Sequence, residues 1–204
     1  RLASASFQAP LKTTQPEVIA IGPGLGKSEL ASQYLYEVLT STTIPLVIDA
    51  DAINLISESE ELLACLKKRN SRFPGFTVIT PHPGEAAILL KSSAEKVQSD
   101  RVVAIQQLVE LTQSIVVLKG QHTLIASPIH EALQCMQGNP GMAVGGMGDV
   151  LTGTIAAITA QGIRHHVDLW EAGCIGVQLH ASAADSLVAK QVGPIGLTPT
   201  ELIL

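Results

Sequence analysis

The sequence predicts an α/β protein in which helices flank a mainly parallel sheet. Short apolar runs closed by glycine, proline or aspartate alternate with segments of helical periodicity. Of the 204 residues, 46% are hydrophobic and 15% charged, a balance typical of a globular chain with a buried core. No linker or internal repeat divides the sequence, so we expect a single domain over residues 1–204.

The first half predicts three strands, each followed by helix. Val18–Ile21 is the first strand and Ser28–Leu39 its helix, with Ser28 as N-cap. "IPLVI" is the second strand, "DADAI" its exit loop and Glu58–Arg69 the next helix. "FTVIT" is the third strand, followed by a proline-rich turn, a helix in "PGEAAILL" and a longer helix over Glu95–Thr112.

The second half predicts a hairpin and two helices. "SIVVLKGQHTLIAS" reads as two strands around a tight turn, and "EALQCM" as a third strand of that group. The helices Val150–Gln161 and Asp168–Lys190 follow a glycine-rich segment. Ligands of such sheets bind at the carboxyl ends of the strands. Four loops follow strand ends: Gly22–Gly26, Asp49–Asn54, Thr80–Glu85 and Lys119–Thr123.

A run of glycines ends at Asp149, where a helix is predicted to begin. Leu151, Ile155 and Ile158 recur at the spacing of an apolar helix face, so the free N–H groups of a helix N-terminus follow the glycines. Such N–H groups bind anions, and glycine lets a phosphate approach the backbone. Asp149 is therefore either a catalytic group beside an anion, or an acid that caps the helix or stabilises its dipole.

The loop "GPGLGKS" fits neither common phosphate-binding motif. A P-loop needs a glycine five residues before Gly26, where Ile21 stands. The dinucleotide fingerprint needs a glycine where Lys27 stands. A turn that approaches a ligand and a purely structural turn both remain open.

Polar side chains in the other three loops have two interpretations each. His82 could donate to a ligand while Glu85 helps to hold a hydrated Mg²⁺, or Glu85 could simply stabilise a helix N-terminus. Asp49 and Asp51 could share a face that needs a cation, or Asp51 could cap a helix. Lys119 could pair with a phosphate, or it could belong to a plain hairpin turn.

Composition excludes several classes of partner. The formal net charge of −5 argues against nucleic-acid binding, which needs a basic face. No apolar run reaches the ~18 residues of a membrane span, and we expect no signal peptide and a cytoplasmic location. Cys65, Cys135 and Cys174 show no metal spacing, and the histidines other than His82 suggest no metal site.

Five motifs in order resemble the NAD(P)H-hydrate dehydratase family of the ribokinase-like superfamily. They are "GPGLG", "DADAIN", "TPHPGE", "LKG" and "NPGMAVGGMGD", and the resemblance runs from about Glu17 to the C-terminus. It implies a ribokinase-like fold that lacks the usual N-terminal strands of the family. The sequence therefore resembles an N-terminally truncated domain of a longer protein, fused to or associated with an NAD(P)H-hydrate epimerase.

The resemblance also implies an activity. The substrate would be hydrated NADH or NADPH, phosphorylated on its ring hydroxyl and restored by loss of phosphate. ADP or ATP would be the phosphoryl donor, with Mg²⁺, and the "GGMGD" sequence favours ADP. A homo-oligomer is expected, and neither a nucleic acid nor a membrane is expected as a partner.

Residue roles follow from the same resemblance. Asp149 would be catalytic and would contact the substrate together with Gly24, Gly26 and His82. Glu85 would act on Mg²⁺ indirectly. The nucleotide-binding residues would be Lys119, Gly120, Gln121, His122, Thr123, Gly146 and Gly148.

Two other functions compete with this one. A ribokinase-like kinase of a vitamin precursor would stop at the phosphorylated product. A catalytically silent module would bind ADP or ATP without turnover.

Overall fold

In the described part of the chain, six strands form one sheet in the same spatial order as along the chain. The computed structural model describes residues 14–203. The strands are β1 (Ile19–Ile21), β2 (Leu46–Ile48), β3 (Thr77–Ile79), β4 (Ile115–Leu118), β5 (Leu124–Ser127) and β6 (His130–Gln134). Strands β1 to β4 are parallel, whereas β5 is antiparallel to both β4 and β6. The predicted mainly parallel sheet and the hairpin are confirmed.

Helices cover both faces of this sheet. Within residues 14–203 they are α1 (Glu29–Ser41), α2 (Ala50–Glu58), α3 (Glu60–Arg72), α4 (Pro83–Leu89), α5 (Ala94–Ser99), α6 (Arg101–Thr112), α7 (Met147–Gly162), α8 (Leu169–Ala189) and α9 (Pro199–Ile203). Right-handed crossovers between successive neighbouring strands place the connecting helices on one face. Helices α7 and α8, which come after the hairpin, cover the other face.

Successive residues of a strand pack alternately against the helices on the two faces of the sheet. Leu46 and Ile48 of β2 belong to the core beneath α1–α6, while Val47 packs with Leu151 and Ile155 of α7. All three strand residues are fully buried. A strand buried on both faces reads as a continuous apolar run, which is why these strands could be recognised from sequence.

Several predicted helices are confirmed. Ser28 caps α1, with its side chain accepting a hydrogen bond from the N–H of Ala31. Asp168 caps α8, close to the predicted start. The predicted loss of the family's N-terminal strands concerns residues before β1. It stays a prediction, because residues 1–13 lie outside the described part.

Two predicted elements are wrong in detail. The single helix over Glu95–Thr112 is divided into α5 and α6, because Asp100 leaves the helical conformation and its carboxylate accepts from the N–H of Val103. The predicted exit loop after β2 is helix α2, and Ser59 separates it from α3. Polar residues that cap a helix can thus divide a segment that hydrophobic periodicity predicts as one continuous element.

One helix property bears on membrane association. Among residues 14–203, no helix combines the length and the apolar character that a bilayer span requires.

Candidate active site

The four predicted loops meet at the carboxyl edge of the sheet. The N–H of Gly26, after β1, donates to Oδ2 of Asp51, after β2, at 2.8 Å. The N–H of Lys119, after β4, donates to the carbonyl of Pro81, after β3, at 2.9 Å. Gly22 contacts the backbone of Asp49 so closely that a Cβ there would lie 1.7 Å from the Asp49 carbonyl oxygen. These contacts join the loops after β1 and β2 to each other, and likewise the loops after β3 and β4.

The glycine-rich segment ends in the first turn of α7, as predicted. Gly146 is the N-cap, with φ +90° in the left-handed region, and the helix begins at Met147. Gly148 and Asp149 occupy the first turn, where backbone N–H groups lack helical partners. The side chain of Asp149 is exposed and makes no hydrogen bond or ion pair within residues 14–203. Asp149 is therefore not a hydrogen-bonded cap, whereas its place in the first turn agrees with an acid that stabilises the helix dipole.

An ion pair lies directly beneath this turn. Lys119 Nζ is 2.7 Å from Asp49 Oδ1 and 4.0 Å from Glu85 Oε2. Thr152 of α7 donates from Oγ1 to Asp49 Oδ2 at 2.7 Å. A Cβ on Gly148 would lie 3.1 Å from Lys119 Nζ, so the first turn of α7 rests on the ion pair. These contacts join β2, β4 and α7 at one buried point.

The shared-face interpretation of Asp49 and Asp51 is wrong. Helix α2 begins between them, at Ala50, so the strand alternation does not continue. Asp49 is buried and neutralised by Lys119, whereas Asp51 holds the Gly26 loop. The predicted contact of Lys119 with a phosphate would therefore be made in addition to its ion pair with Asp49.

His82 and Glu85 form a reciprocal cap at the start of α4. His82 Nδ1 accepts from the N–H groups of Gly84 and Glu85, and Glu85 Oε2 accepts from the N–H of His82. The proton of a neutral His82 ring is therefore on Nε2. The His82 side chain is 56% exposed, so Nε2 can also donate to a ligand. The structural interpretation is confirmed, and the ligand-binding role of His82 stays a prediction.

The side chains available as metal ligands limit how Mg²⁺ could bind. Glu85 is buried, with Oε2 bonded to the His82 backbone and Oε1 3.5 Å from His82 Nε2. Among residues 14–203, no group of three or more His, Cys, Asp or Glu side chains could hold a metal. Mg²⁺ is commonly held by one or two carboxylates, waters and substrate phosphates. The residues present fit an ion carried mainly by a nucleotide, with water-mediated protein contacts.

Three residues make contacts near the site that the sequence did not predict. Thr152 is a buried polar residue three positions after Asp149, within the apolar face of α7. Arg101 is a cation at the unfavourable end of a helix dipole. His180 is buried on α8, where burial and the charge of Lys119 lower its pKa and a hydrogen bond with the Met147 backbone partly opposes the shift. Each departs from the local pattern, but the sequence does not show what it contacts.

A cavity of about 770 Å³ lies away from these residues, at the amino edge of the sheet. Phe76, before β3, and the β5–β6 turn line it together with the N-terminus of α8. Trp170 and His130 stack there with ring centroids 4.4 Å apart. None of the predicted site residues lines this cavity.

Comparisons with known proteins agree on one family. A model of the NAD(P)H-hydrate dehydratase family matches residues 3–204. The bifunctional NAD(P)H-hydrate repair enzyme of Coxiella burnetii is 43% identical over 202 residues, which are 99% of this chain and 38% of that protein. The ADP-dependent (S)-NAD(P)H-hydrate dehydratase of Neisseria meningitidis is 41% identical over 183 residues, or 89% of this chain and 59% of that protein. The chain thus spans less than two thirds of each of these relatives.

Solved structures support the fold. The ADP/ATP-dependent NAD(P)H-hydrate dehydratase of Bacillus subtilis, co-crystallised with ATP/Mg²⁺ and soaked with CoA, superposes with a TM-score of 0.74 at 31% identity, covering 91% of this chain and 62% of that one. A ribokinase-like superfamily protein of Enterococcus faecalis gives 0.73 at 32% identity, covering 96% and 63%. A hydroxyethylthiazole kinase of Pyrococcus horikoshii gives 0.67 at 14% identity, covering 98% and 74%, which shows the shared fold alone. The fold is ribokinase-like, as predicted.

Proposed function

Because the chain belongs to the NAD(P)H-hydrate dehydratase family, we propose that it restores NADH and NADPH from their hydrates in a nucleotide-dependent reaction. The observation that carries this proposal is the exposed, unpaired carboxylate of Asp149 in the first turn of α7. A carboxylate beside free backbone N–H groups suits the transfer of a phosphoryl group to a hydroxyl.

In the first step, the ring hydroxyl of the substrate attacks the terminal phosphorus of the nucleotide. Asp149 accepts the hydrogen bond of this hydroxyl, aims its oxygen and takes its proton late. The N–H groups around Gly146 and Gly148 stabilise the charge on the transferred group. The bond from phosphorus to the nucleotide breaks, which leaves a phosphorylated substrate.

In the second step, the carbon–oxygen bond to the new phosphate breaks. The lone pair of the ring nitrogen assists its departure, and a proton is lost from the neighbouring ring carbon to restore the reduced nicotinamide. For the substrate, we propose contacts with Gly24, Gly26 and the exposed Nε2 of His82. A bound Mg²⁺ would neutralise phosphate charge during the first step.

For the donor, we propose ADP, bound at the turn over residues 119–123. The Neisseria relative is named ADP-dependent, and the Bacillus relative is named ADP/ATP-dependent. Because relatives of the chain are named bifunctional and the chain spans 38% of one of them, we propose that it acts beside a second module, the epimerase that the resemblance implies. The cytoplasmic location and the homo-oligomer stay predictions.

The test uses the full-length protein with hydrated NADH, Mg²⁺ and either ADP or ATP. We expect recovery of the near-ultraviolet absorbance of reduced nicotinamide, together with one free phosphate for each molecule restored. A vitamin-precursor kinase would leave hydrated NADH unchanged, and a silent module would bind the nucleotide without phosphate release. No recovery with either donor would refute the dehydratase proposal.

A further inference from the structure

The guanidinium of Arg101 donates hydrogen bonds to backbone carbonyls. Nη2 donates to the carbonyl of Leu118 at 2.9 Å and to that of Lys119 at 3.3 Å, while Nη1 donates to Gln98 Oε1 at 2.8 Å. Within residues 14–203, Arg101 has no carboxylate at ion-pair distance. A guanidinium in this arrangement fixes the direction of two consecutive peptide groups at the end of β4.

Those two peptide groups orient the turn that follows. In a planar trans peptide the carbonyl and the next N–H point in opposite directions. The Leu118 carbonyl points to Arg101, so the N–H of Lys119 points away and donates to Pro81. The Lys119 carbonyl also points to Arg101, so the N–H of Gly120 must point away from α6.

The turn therefore presents free donors. Among the described residues, the N–H groups of Gly120, Gln121 and His122 have no hydrogen-bond acceptor. Nδ1 of His122 is also buried without a partner there. Successive free N–H groups in a tight turn form a site for anions such as phosphate.

Gly120 makes room for the guanidinium. Its φ is +138°, and an added Cβ would lie 3.0 Å from Arg101 Nη1. A larger residue at this position would have to displace the guanidinium by a few tenths of an ångström. Glycine therefore lets Arg101 lie directly against the turn.

We propose that Arg101 is a positioning residue for the donor nucleotide, which holds the turn over residues 119–123 so that its free N–H groups meet a phosphate. This inference rests on the proposed binding of ADP or ATP at that turn. Arg101 acts through the backbone and does not itself touch the nucleotide. Its loss should weaken donor binding and leave the binding of the reduced dinucleotide unchanged.

The chain offers a matched control for this test. Arg69 also donates from its guanidinium to backbone carbonyls, those of Thr42 and Ile44 before β2, and it is more deeply buried than Arg101. Calorimetric titration of full-length Arg101→Met and Arg69→Met with ADP, together with their melting temperatures, separates positioning from stability. We expect Arg101→Met to bind ADP at least about tenfold more weakly, the loss typical of charged hydrogen bonds. Arg69→Met should keep wild-type affinity for ADP, and both should keep wild-type affinity for NADPH.

The outcomes are distinct. Wild-type affinity for ADP in Arg101→Met, or an equal loss in Arg69→Met, would overturn the inference and leave the proposed function standing. If the wild-type protein bound neither ADP nor ATP, the proposed function would fall and the inference with it. If Arg101→Met does not fold, the same titration is made with Arg101→Lys. A weakened ADP affinity at a wild-type melting temperature would support the inference, and an unchanged affinity would overturn it.

Discussion

At the scale of single residues, Asp149 differs from the other carboxylates of the site. Asp49 and Glu85 are buried, and each accepts hydrogen bonds or lies beside Lys119. Asp149 is exposed and has no partner within residues 14–203. A carboxylate without a partner can accept a hydrogen bond from a substrate hydroxyl without losing a protein contact, so we propose Asp149 as the group that takes the proton of this hydroxyl.

Asp149→Asn should reduce the dehydration rate by about 100-fold or more and retain ADP binding, because the amide keeps the shape but cannot take the proton. Steady-state kinetics and titration with ADP check this. Asp168→Asn is the control, since asparagine caps α8 as well as aspartate does. Equal rates for Asp149→Asn and the control would reduce Asp149 to a structural residue.

His180 should make stability depend on pH. Burial first, and the charge of Lys119, lower its pKa from 6.5, so below this value the unfolded chain binds a proton that the folded one resists. Stability is therefore highest above pH 6.5 and falls as the pH drops from there towards the lowered value. Urea unfolding between pH 7.5 and 5 should show a shallower fall in His180→Gln than in the wild type. Parallel profiles would contradict this role.

At the scale of elements, α7 is positioned by a contact that the sequence could not reveal. The glycines, the helix start and the place of Asp149 were predictable, because helix periodicity and glycine freedom are local properties. The bond from Thr152 to Asp49 joins residues 103 positions apart, and no spacing rule connects them. Likewise, the break at Asp100 depended on a capping bond rather than on periodicity.

Thr152→Val should lower the free energy of unfolding by about 1–3 kcal/mol, because the buried Asp49 carboxylate loses a hydrogen-bond donor. Thr152→Ser retains the hydroxyl and serves as the control. Urea unfolding at neutral pH compares the three proteins. If valine proved as stable as threonine, the hydroxyl would not be what holds α7 to β2.

At the scale of the whole molecule, the two edges of the sheet differ in chemistry. The carboxyl edge carries the charged cluster, the glycine turns and Asp149, as the rule for parallel sheets predicts. The amino edge carries the 770 Å³ cavity with the stacked Trp170 and His130. Sequence periodicity located the first edge from strand ends, but it gave no sign of the cavity, which distant segments form together.

Hydrogen–deuterium exchange of the full-length protein can show at which edge of the sheet the nucleotide binds. ADP should slow exchange in peptides that cover residues 119–123 and 145–149, because nucleotide contacts would protect their N–H groups. Peptides that cover residues 127–130 and 163–168, beside the cavity, should exchange at an unchanged rate. Protection confined to the cavity peptides would place the nucleotide at the opposite edge.

The order of the strands and helices along the chain has a consequence for protein synthesis. The six strands within residues 14–203 leave the ribosome before α7 and α8, yet these two helices cover the face formed by Val47, Val78, Ile115 and Val117. A nascent chain that ends before α7 therefore holds an uncovered apolar sheet face, of the kind to which chaperones bind. Pausing of translation between β6 and α7 would prolong that exposure, because the face is covered only after α7 and α8 have followed the glycine-rich segment.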